Sequence, residues 1–413
     1  MKVPLNELPP PRELADKLVD AGEDPVMLLE GSGEKSRFSI LAWGMDDRLE
    51  ATDSLYDDLK RMVRGLGGLE DGRIAIGYLS YEAVLLMEDY ARGFMKPLPG
   101  WPLGEFVVPS NVVVYDNALR RAYVNAKLED LGHGDHSLRL GEIVRRTRRE
   151  DFEKWVGEAI EDIRSGEAFQ IVLSRFEEYG FSGNLFPLYS ALADLNPSPY
   201  MFYLRMGPRV LLGSSPEMLI EVDGGRAVTK PIAGTRPRGS DPREDLRLEE
   251  DLLSSEKELA EHTMLVDLAR NDLGRVCRFG TVRVREMYSV EKYESVQHIV
   301  STVEGVLERG SDVVDALFAT FPAGTVSGAP KPRAMELIAK YEGEPRGPYA
   351  GAVGFLHGNG GEFAITIRSL FASGGVARLQ AGAGVVFDSV PRLEYEETEH
   401  KLGSLRRVMK SWT

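Results

Sequence analysis

The chain of 413 residues has one cysteine, Cys277, which excludes an internal disulfide framework and fits a reducing compartment. No uninterrupted apolar run reaches about 18 residues, which argues against a transmembrane helix. The opening MKVPLNELPPPRELADKL lacks the apolar centre of a secretion signal. Positive charge is short as well: 50 Lys and Arg against 65 Asp and Glu leave a net −15. Broad nucleic-acid binding needs a basic footprint and is disfavoured. An anionic substrate would require positive charge gathered at one site. These absences lead to the expectation of a soluble cytoplasmic protein. Internal repeats and low-complexity tracts are lacking too.

What is present is an ordinary folded composition, 43% hydrophobic and 28% charged. The length exceeds one ordinary core and fits one large or two intimate domains. Val26–Glu30 and Arg37–Trp43 flank a Gly/Ser turn (Gly31–Gly33) and predict a hairpin. A helix is expected over Ser54–Gly65, with strands at Arg73–Tyr78, Asn111–Asp116 and Ala122–Leu128. Leu131–Leu138 is polar and glycine-bearing and reads as a linker, dividing residues 1–130 from 148–413. Beyond it come a helix at Glu150–Ser165 and strands at Gln170–Ser174 and Met201–Leu212. A meander follows through Gly351–Leu356, Glu362–Phe371 and Ala377–Phe387, turning at His357–Gly361 and Ser373–Gly375. Strands and helices mix without regular alternation, so an α+β fold with large antiparallel sheets covered by helices is expected.

Two distant stretches place acids on apolar stripes. Glu258 and Glu261 share a helical line with Leu265 and Leu268. Glu394 falls on the line of Leu402, Leu405, Met409 and Trp412, with Glu397 beside it. At helical pitch these carboxylates point toward the core. A buried, unpaired carboxylate costs several kcal/mol, about 2–7 even for neutral polar groups, so it must be neutralised, paired or metal-bound. Two such helices meeting would form an oxygen-lined site suited to a divalent cation.

Other segments leave alternatives open. FPAGTVSGAPK (Phe321–Lys331) is either a helix-entry turn or an anion-binding loop. AGAG (Ala381–Gly384) lies inside a strand, where glycine marks a bulge or the close approach of a ligand. It runs into Asp388 and the acids of the second stretch. Arg368 on its strand is either salt-bridged at the surface or suited to grip a carboxylate. His298 is flanked by apolar residues, and such histidines are mostly satisfied core residues. Asp267, Arg270 and Asp272 read as a structural ion-pair cluster, and Cys277 as inert.

Together these segments resemble the chorismate-utilising enzymes, most closely the component I (large) subunits of anthranilate synthases. The resemblance covers most of 150–405 through AFQIVLSR (168–175), NPSPYMFYL (196–204), GSSPEML (213–219) and KPIAGTRPRG (230–239). It continues through EKELAEHTMLVDLARNDLG (256–274), SVQHIVS (295–301), FPAGTVSGAPKPRAMELI (321–338), YAGAVGF (349–355) and AGAGVVFDSVPRLEYEETEHK (381–401). It is thinner in the N-terminal third, where Leu28–Trp43 and GYLSYEA (77–83) resemble the family's regulatory half. Aminodeoxychorismate synthases commonly carry a nucleophilic lysine where this chain has Ala233, and isochorismate and salicylate synthases a basic lysine where it has Gln170. Both substitutions leave ammonia as the nucleophile.

The resemblance implies Mg2+ held by Glu261 and Glu397, with Glu258 and Glu394 assisting, and set against the ring carboxylate of chorismate. Backbone at Gly382, Ala383 and Gly384 completes that cradle, while Tyr349 and Arg368 hold the enolpyruvyl carboxylate. Glu217 matches the general acid, His298 assists aromatisation, Thr325 contacts substrate, and Lys401 balances the acids. A separate glutamine amidotransferase subunit, anthranilate synthase component II, is implied as the ammonia source in a hetero-oligomer. An effector site for tryptophan is implied at Glu30, Gly31, Asn196, Pro197, Ser198, Pro199, Tyr200 and Met201. The family usually has serine where this chain has Gly31; the lost hydroxyl is worth roughly 1 kcal/mol, and Ser32 would have to compensate.

Overall fold

The computed structural model describes residues 1–31, 38–51, 54–126, 137–293 and 296–412. Two antiparallel sheets, of twelve and ten strands, dominate it. In the larger one, Lys2–Pro4, Arg121–Asn125, Asn111–Asp116, Phe38–Trp43 and Val26–Glu30 lead to Tyr200–Met206. That sheet continues through Arg209–Ser215, Ser369–Ser373, Val376–Val385, Gln170–Gly183 and Gly328–Ala329. In the smaller sheet, Ile232–Pro237, Val296–Val306, Arg226–Thr229, Met218–Asp223, Gly360–Ile365 and Ala352–His357 lead to Ala75–Leu79, Gly104–Val108 and Asp47–Glu50. Both sheets therefore run unbroken from the N-terminal third into the remainder. The expected linker lies mostly outside the described residues, as do the hairpin turn beyond Gly31 and the end of the Ala122–Leu128 strand.

Side-chain alternation explains the layering. Met27, Phe202 and Leu204 face the core between the sheets, while Val26, Leu28, Met201 and Tyr203 turn to the opposite face. On that face lie the helices Pro11–Asp20, Phe186–Leu195 and Pro391–Met409. A third core joins the Arg149–Arg164 and Lys331–Glu342 helices to the Gln170–Gly183 strand.

Three expected strands are corrected. Met201–Leu212 is two strands, because the chain turns through Gly207, whose φ of 61° suits glycine. Gln170–Ser174 extends to Gly183 through its pairing with Val376–Val385. Glu362–Phe371 is broken: Gly360–Ile365 belongs to the smaller sheet and Ser369–Ser373 to the larger. The chain crosses between them at Thr366–Arg368, where Arg368 takes a φ of 49°. A left-handed φ on a non-glycine residue is uncommon and strained, and strain of this kind gathers at functional positions.

Candidate active site

A second crossing lies beside the first. Arg209–Ser215 belongs to the larger sheet and Met218–Asp223 to the smaller, so Pro216–Glu217 spans the gap. The crossings are tied together: Ile365 N–H donates to the Glu217 carbonyl at 3.0 Å, and Ser214 N–H to the Arg368 carbonyl at 3.2 Å. Glu217 and Arg368 thus stand where the sheets part. Glu217 is only 6% exposed, and burial pushes its carboxyl up to about 8. Thr325, the Ile232 backbone, Lys401 and Arg368 pull the other way and do not prevail. The Thr325 hydroxyl, in the short Gly324–Ser327 helix, is buried near that carboxyl without a closed hydrogen bond. Burial lowers the Arg368 pKa, and Tyr293 and Glu217 oppose the change. Among the described residues no carboxylate forms an ion pair with its guanidinium, which leaves that fork for an anionic ligand.

His298 sits on Val296–Val306, with Nδ1 3.1 Å from the Gly234 carbonyl and 3.0 Å from Thr235 Oγ1. A carbonyl only accepts, which assigns the proton to Nδ1 and leaves Nε2 with a lone pair. Nε2 is buried without a partner, and burial drops the imidazole to about 4, so it is neutral at pH 7. Gly234 has a φ of 69°, and a Cβ there would lie 3.0 Å from Glu258 Oε2. One bulge therefore anchors the histidine and passes close to the first acidic helix.

The glycine strand supplies backbone. Gly382, Ala383 and Gly384 pair with Ser174, Leu173 and Val172 on one edge. Pairing with Ser369–Ser373 on the other edge ends at Leu379, since that strand begins only after the crossing. A Cβ on Gly382 would meet the Tyr349 hydroxyl at 2.8 Å, so the buried tyrosine touches this cradle. Lys401 Nζ donates to the Gly382 carbonyl at 2.8 Å and pairs with Glu397 at 2.7 Å.

The four acids lie on Glu256–Gly274 and Pro391–Met409, at or near their N-terminal turns. The expectation that all point into the core is corrected. The buried stripe of the first helix is His262, Leu265, Val266, Ala269 and Leu273, which leaves Glu258 and Glu261 half-buried on its flank. Glu397 is exposed, because Thr398 and Leu402 take the inward positions. Each of three acids leans on a cation: Glu258 on Arg236 at 3.2 Å, Glu261 on Lys257 at 3.9 Å, and Glu397 on Lys401. Lys257 also reaches Asp388 at 3.2 Å, linking the two acidic segments. Burial raises Glu261 to about 7 against the pull of Lys257, and Glu258, Asp388 and Glu394 add to the rise. Among the described residues no three acids stand together closely enough to hold an ion in this arrangement. Their chemistry fits one nonetheless: oxygen donors and excess negative charge suit a hard divalent cation.

The proposed effector residues divide. Glu30 pairs in register with Met201 across the sheet, and its carboxylate accepts from Arg12 at 2.9 Å and Tyr189 at 2.7 Å. Glu30, Pro199, Tyr200 and Met201 line a cavity of about 340 Å³ between the sheets. Gly31, Asn196, Pro197 and Ser198 are not part of its lining; Asn196 ends the preceding helix, and its carbonyl accepts from Ser214 Oγ at 2.5 Å. Ser32 lies outside the described residues. Sequence reasoning missed Tyr293, whose ring meets His298 edge-on, and the anchoring role of Gly234. It also paired Asp272 wrongly, since Asp272 binds Lys331 at 2.9 Å, leaving Arg270 to Asp267. Cys277 is buried, with its thiol pushed up to about 11 by burial, as suits an inert residue.

No helix among the described residues is long and apolar enough to cross a membrane. The profile of the chorismate binding enzyme family matches residues 24–407. Anthranilate synthase component 1 of Aeropyrum pernix is 48% identical over 98% of this chain and 95% of its own length. That of Saccharolobus solfataricus is 47% identical over 98% of both chains. The crystal structure of anthranilate synthase component I from Streptococcus pneumoniae superposes with a TM-score of 0.80 at 33% identity, covering 91% of this chain and 93% of that one. The Escherichia coli menaquinone-specific isochorismate synthase shares the fold at a TM-score of 0.80 and 23% identity, covering 99% of this chain and 94% of its own. With its sheet crossings, acidic helices and glycine strand in this arrangement, the chain belongs to the chorismate-binding enzyme family, among the component 1 chains of anthranilate synthase.

Proposed function

We propose that the chain converts chorismate and ammonia into anthranilate and pyruvate. The observation that carries the mechanism is a buried Glu217 carboxyl held near 8 at the sheet crossing, protonated at neutral pH and beside Arg368. Arg368 and Tyr349 hold the enolpyruvyl carboxylate, and the open edge of Gly382–Gly384 receives the ring carboxylate. Mg2+ held by Glu261 and Glu397, with Glu258 and Glu394, would supply the positive charge that the ring carboxylate needs. Ammonia forms the C–N bond at C2, the ring double bonds shift, and the C4–O bond breaks. Glu217 protonates the departing hydroxyl, which leaves as water, and the proton released from the new ammonium group restores the carboxyl. His298 Nε2, neutral and unpartnered, then takes the C2 proton from aminodeoxyisochorismate. The enolpyruvyl C–O bond breaks, pyruvate departs with a proton returned to it, and the ring becomes aromatic.

The neighbouring lysine chemistries have no bearer here: Ala233 lies on the strand paired with that of His298, and Gln170 is buried with Oε1 unpartnered. Ammonia would come from a glutamine amidotransferase subunit, with free ammonium as a substitute. Tryptophan would occupy the inter-sheet cavity as a feedback effector, with apolar walls from Leu29, Ile40 and Phe355 to receive the indole. The test is incubation with chorismate, ammonium and Mg2+, following anthranilate fluorescence and released pyruvate. Both should appear in equal amounts. Isochorismate or 4-amino-4-deoxychorismate as sole product would overturn the assignment.

A further inference from the structure

The inter-sheet cavity and the catalytic groups share a wall one residue thick. Pro216 and Met218 line the cavity, while Glu217 between them serves the crossing. Tyr293 lines the same cavity, and its ring meets His298 edge-on with centroids 5.6 Å apart and planes 62° apart. Its hydroxyl donates to Glu291 Oε2 at 3.0 Å, and Glu291 is another cavity residue. Glu217 and Arg368 both act on the titration of this phenol, so catalytic groups lie close to it. His298 is held at Nδ1 by Gly234, while Nε2 has no partner. The tilt of the imidazole about that anchor is left to its packing, and the Tyr293 ring is in edge-type contact with it.

We propose that Tyr293 is the positioning residue through which an occupant of the inter-sheet cavity acts on His298. The inference rests on the effector reading above and states how that effector inhibits. An amino acid entering the cavity presses on the phenol, and the phenol edge displaces the imidazole that aims Nε2. A misplacement of about 1 Å at a reacting group can cost about a hundredfold in rate. The two sites are then coupled through one ring contact in a close-packed wall, where a displacement has nowhere to dissipate.

The experiment separates binding from inhibition, using the full chain with ammonium as nitrogen donor and L-tryptophan as probe. Calorimetry gives the dissociation constant, and inhibition is read as the fraction of each protein's own uninhibited rate. In the unsubstituted protein the two midpoints should coincide within about twofold. Tyr293→Leu should bind tryptophan within about threefold of that affinity, equivalent to under 1 kcal/mol, yet keep most of its rate when saturated. Tyr293→Phe keeps the ring edge and should be inhibited like the unsubstituted protein. Full inhibition of saturated Tyr293→Leu would overturn the coupling. Loss of binding in Tyr293→Leu would give Tyr293 a role in affinity in place of transmission and overturn the coupling as well. Loss of inhibition with retained binding in Tyr293→Phe would reject the ring contact as carrier. If the unsubstituted protein itself binds no tryptophan, the effector reading falls, and this inference with it.

Discussion

Replacing Glu217 by glutamine keeps the shape of the side chain and removes its proton. The gap between about 8 and the ordinary 4.5 corresponds to about 5 kcal/mol favouring the neutral form, an order-of-magnitude figure for a buried group. At pH 7 roughly nine-tenths of the folded molecules carry the proton, against under about one per cent for an ordinary glutamate. In the proposed reaction the departure of hydroxide from C4 depends on that proton, and positioned acids contribute about 10²–10⁴-fold. Turnover in Glu217→Gln should fall by about that factor with little change in the chorismate KM, since the amide leaves Arg368 in place. Anthranilate fluorescence should be followed at fixed free ammonia, because the amine titrates too. In the unsubstituted enzyme the rate should decline as pH rises through about 8. Stability gives an independent reading. Between about 4.5 and 8 the unfolded carboxyl ionises while the folded one stays neutral, so Glu217 costs increasing stability over that window and a constant amount above it. The melting-temperature advantage of Glu217→Gln should widen across that window and then level off. A variant within about threefold of normal turnover, or a flat rate profile through pH 9, would refute the acid role.

His298→Asn should slow release of pyruvate more than consumption of chorismate, so that aminodeoxyisochorismate accumulates on chromatography; parallel slowing of both would count against an elimination role. Because burial holds His298 near 4, the elimination step should lose rate only as pH falls toward that value, and a midpoint above pH 6 would contradict a neutral base. Arg368→Met removes the proposed charge-assisted contact, of a kind worth about 1.5–3 kcal/mol, and should raise the chorismate KM by about 10–100-fold, with unchanged KM as the contrary result. Gly382→Ala would place a Cβ 2.8 Å from the Tyr349 hydroxyl and 2.9 Å from the Leu173 carbonyl, and should abolish activity even where circular dichroism shows a folded chain.

Much of the candidate site was legible in the sequence because its groups are marked locally. Glycines cluster where backbone must stay bare at Gly382 and Gly384, and acids interrupt two helices. What failed was direction. Periodicity placed Glu258, Glu261 and Glu394 on apolar lines with Glu397 beside one, yet a stripe is wider than its buried centre, and Glu397 faces water beside Lys401. Strand continuity failed at Arg368 because nothing in an arginine announces a φ of 49°. The left-handed turn is imposed by two sheets diverging on either side of it.

The residue order alone determined the groups on offer: carboxylates, an arginine and glycines that leave backbone bare. Tertiary structure decided which of these meet. Glu217 and Arg368, 151 positions apart by their numbering, become neighbours because two crossings between the sheets are hydrogen-bonded side by side. Burial at that seam, and not the identity of the residue, keeps a carboxyl protonated in neutral water. No pattern along one chain encodes that dielectric.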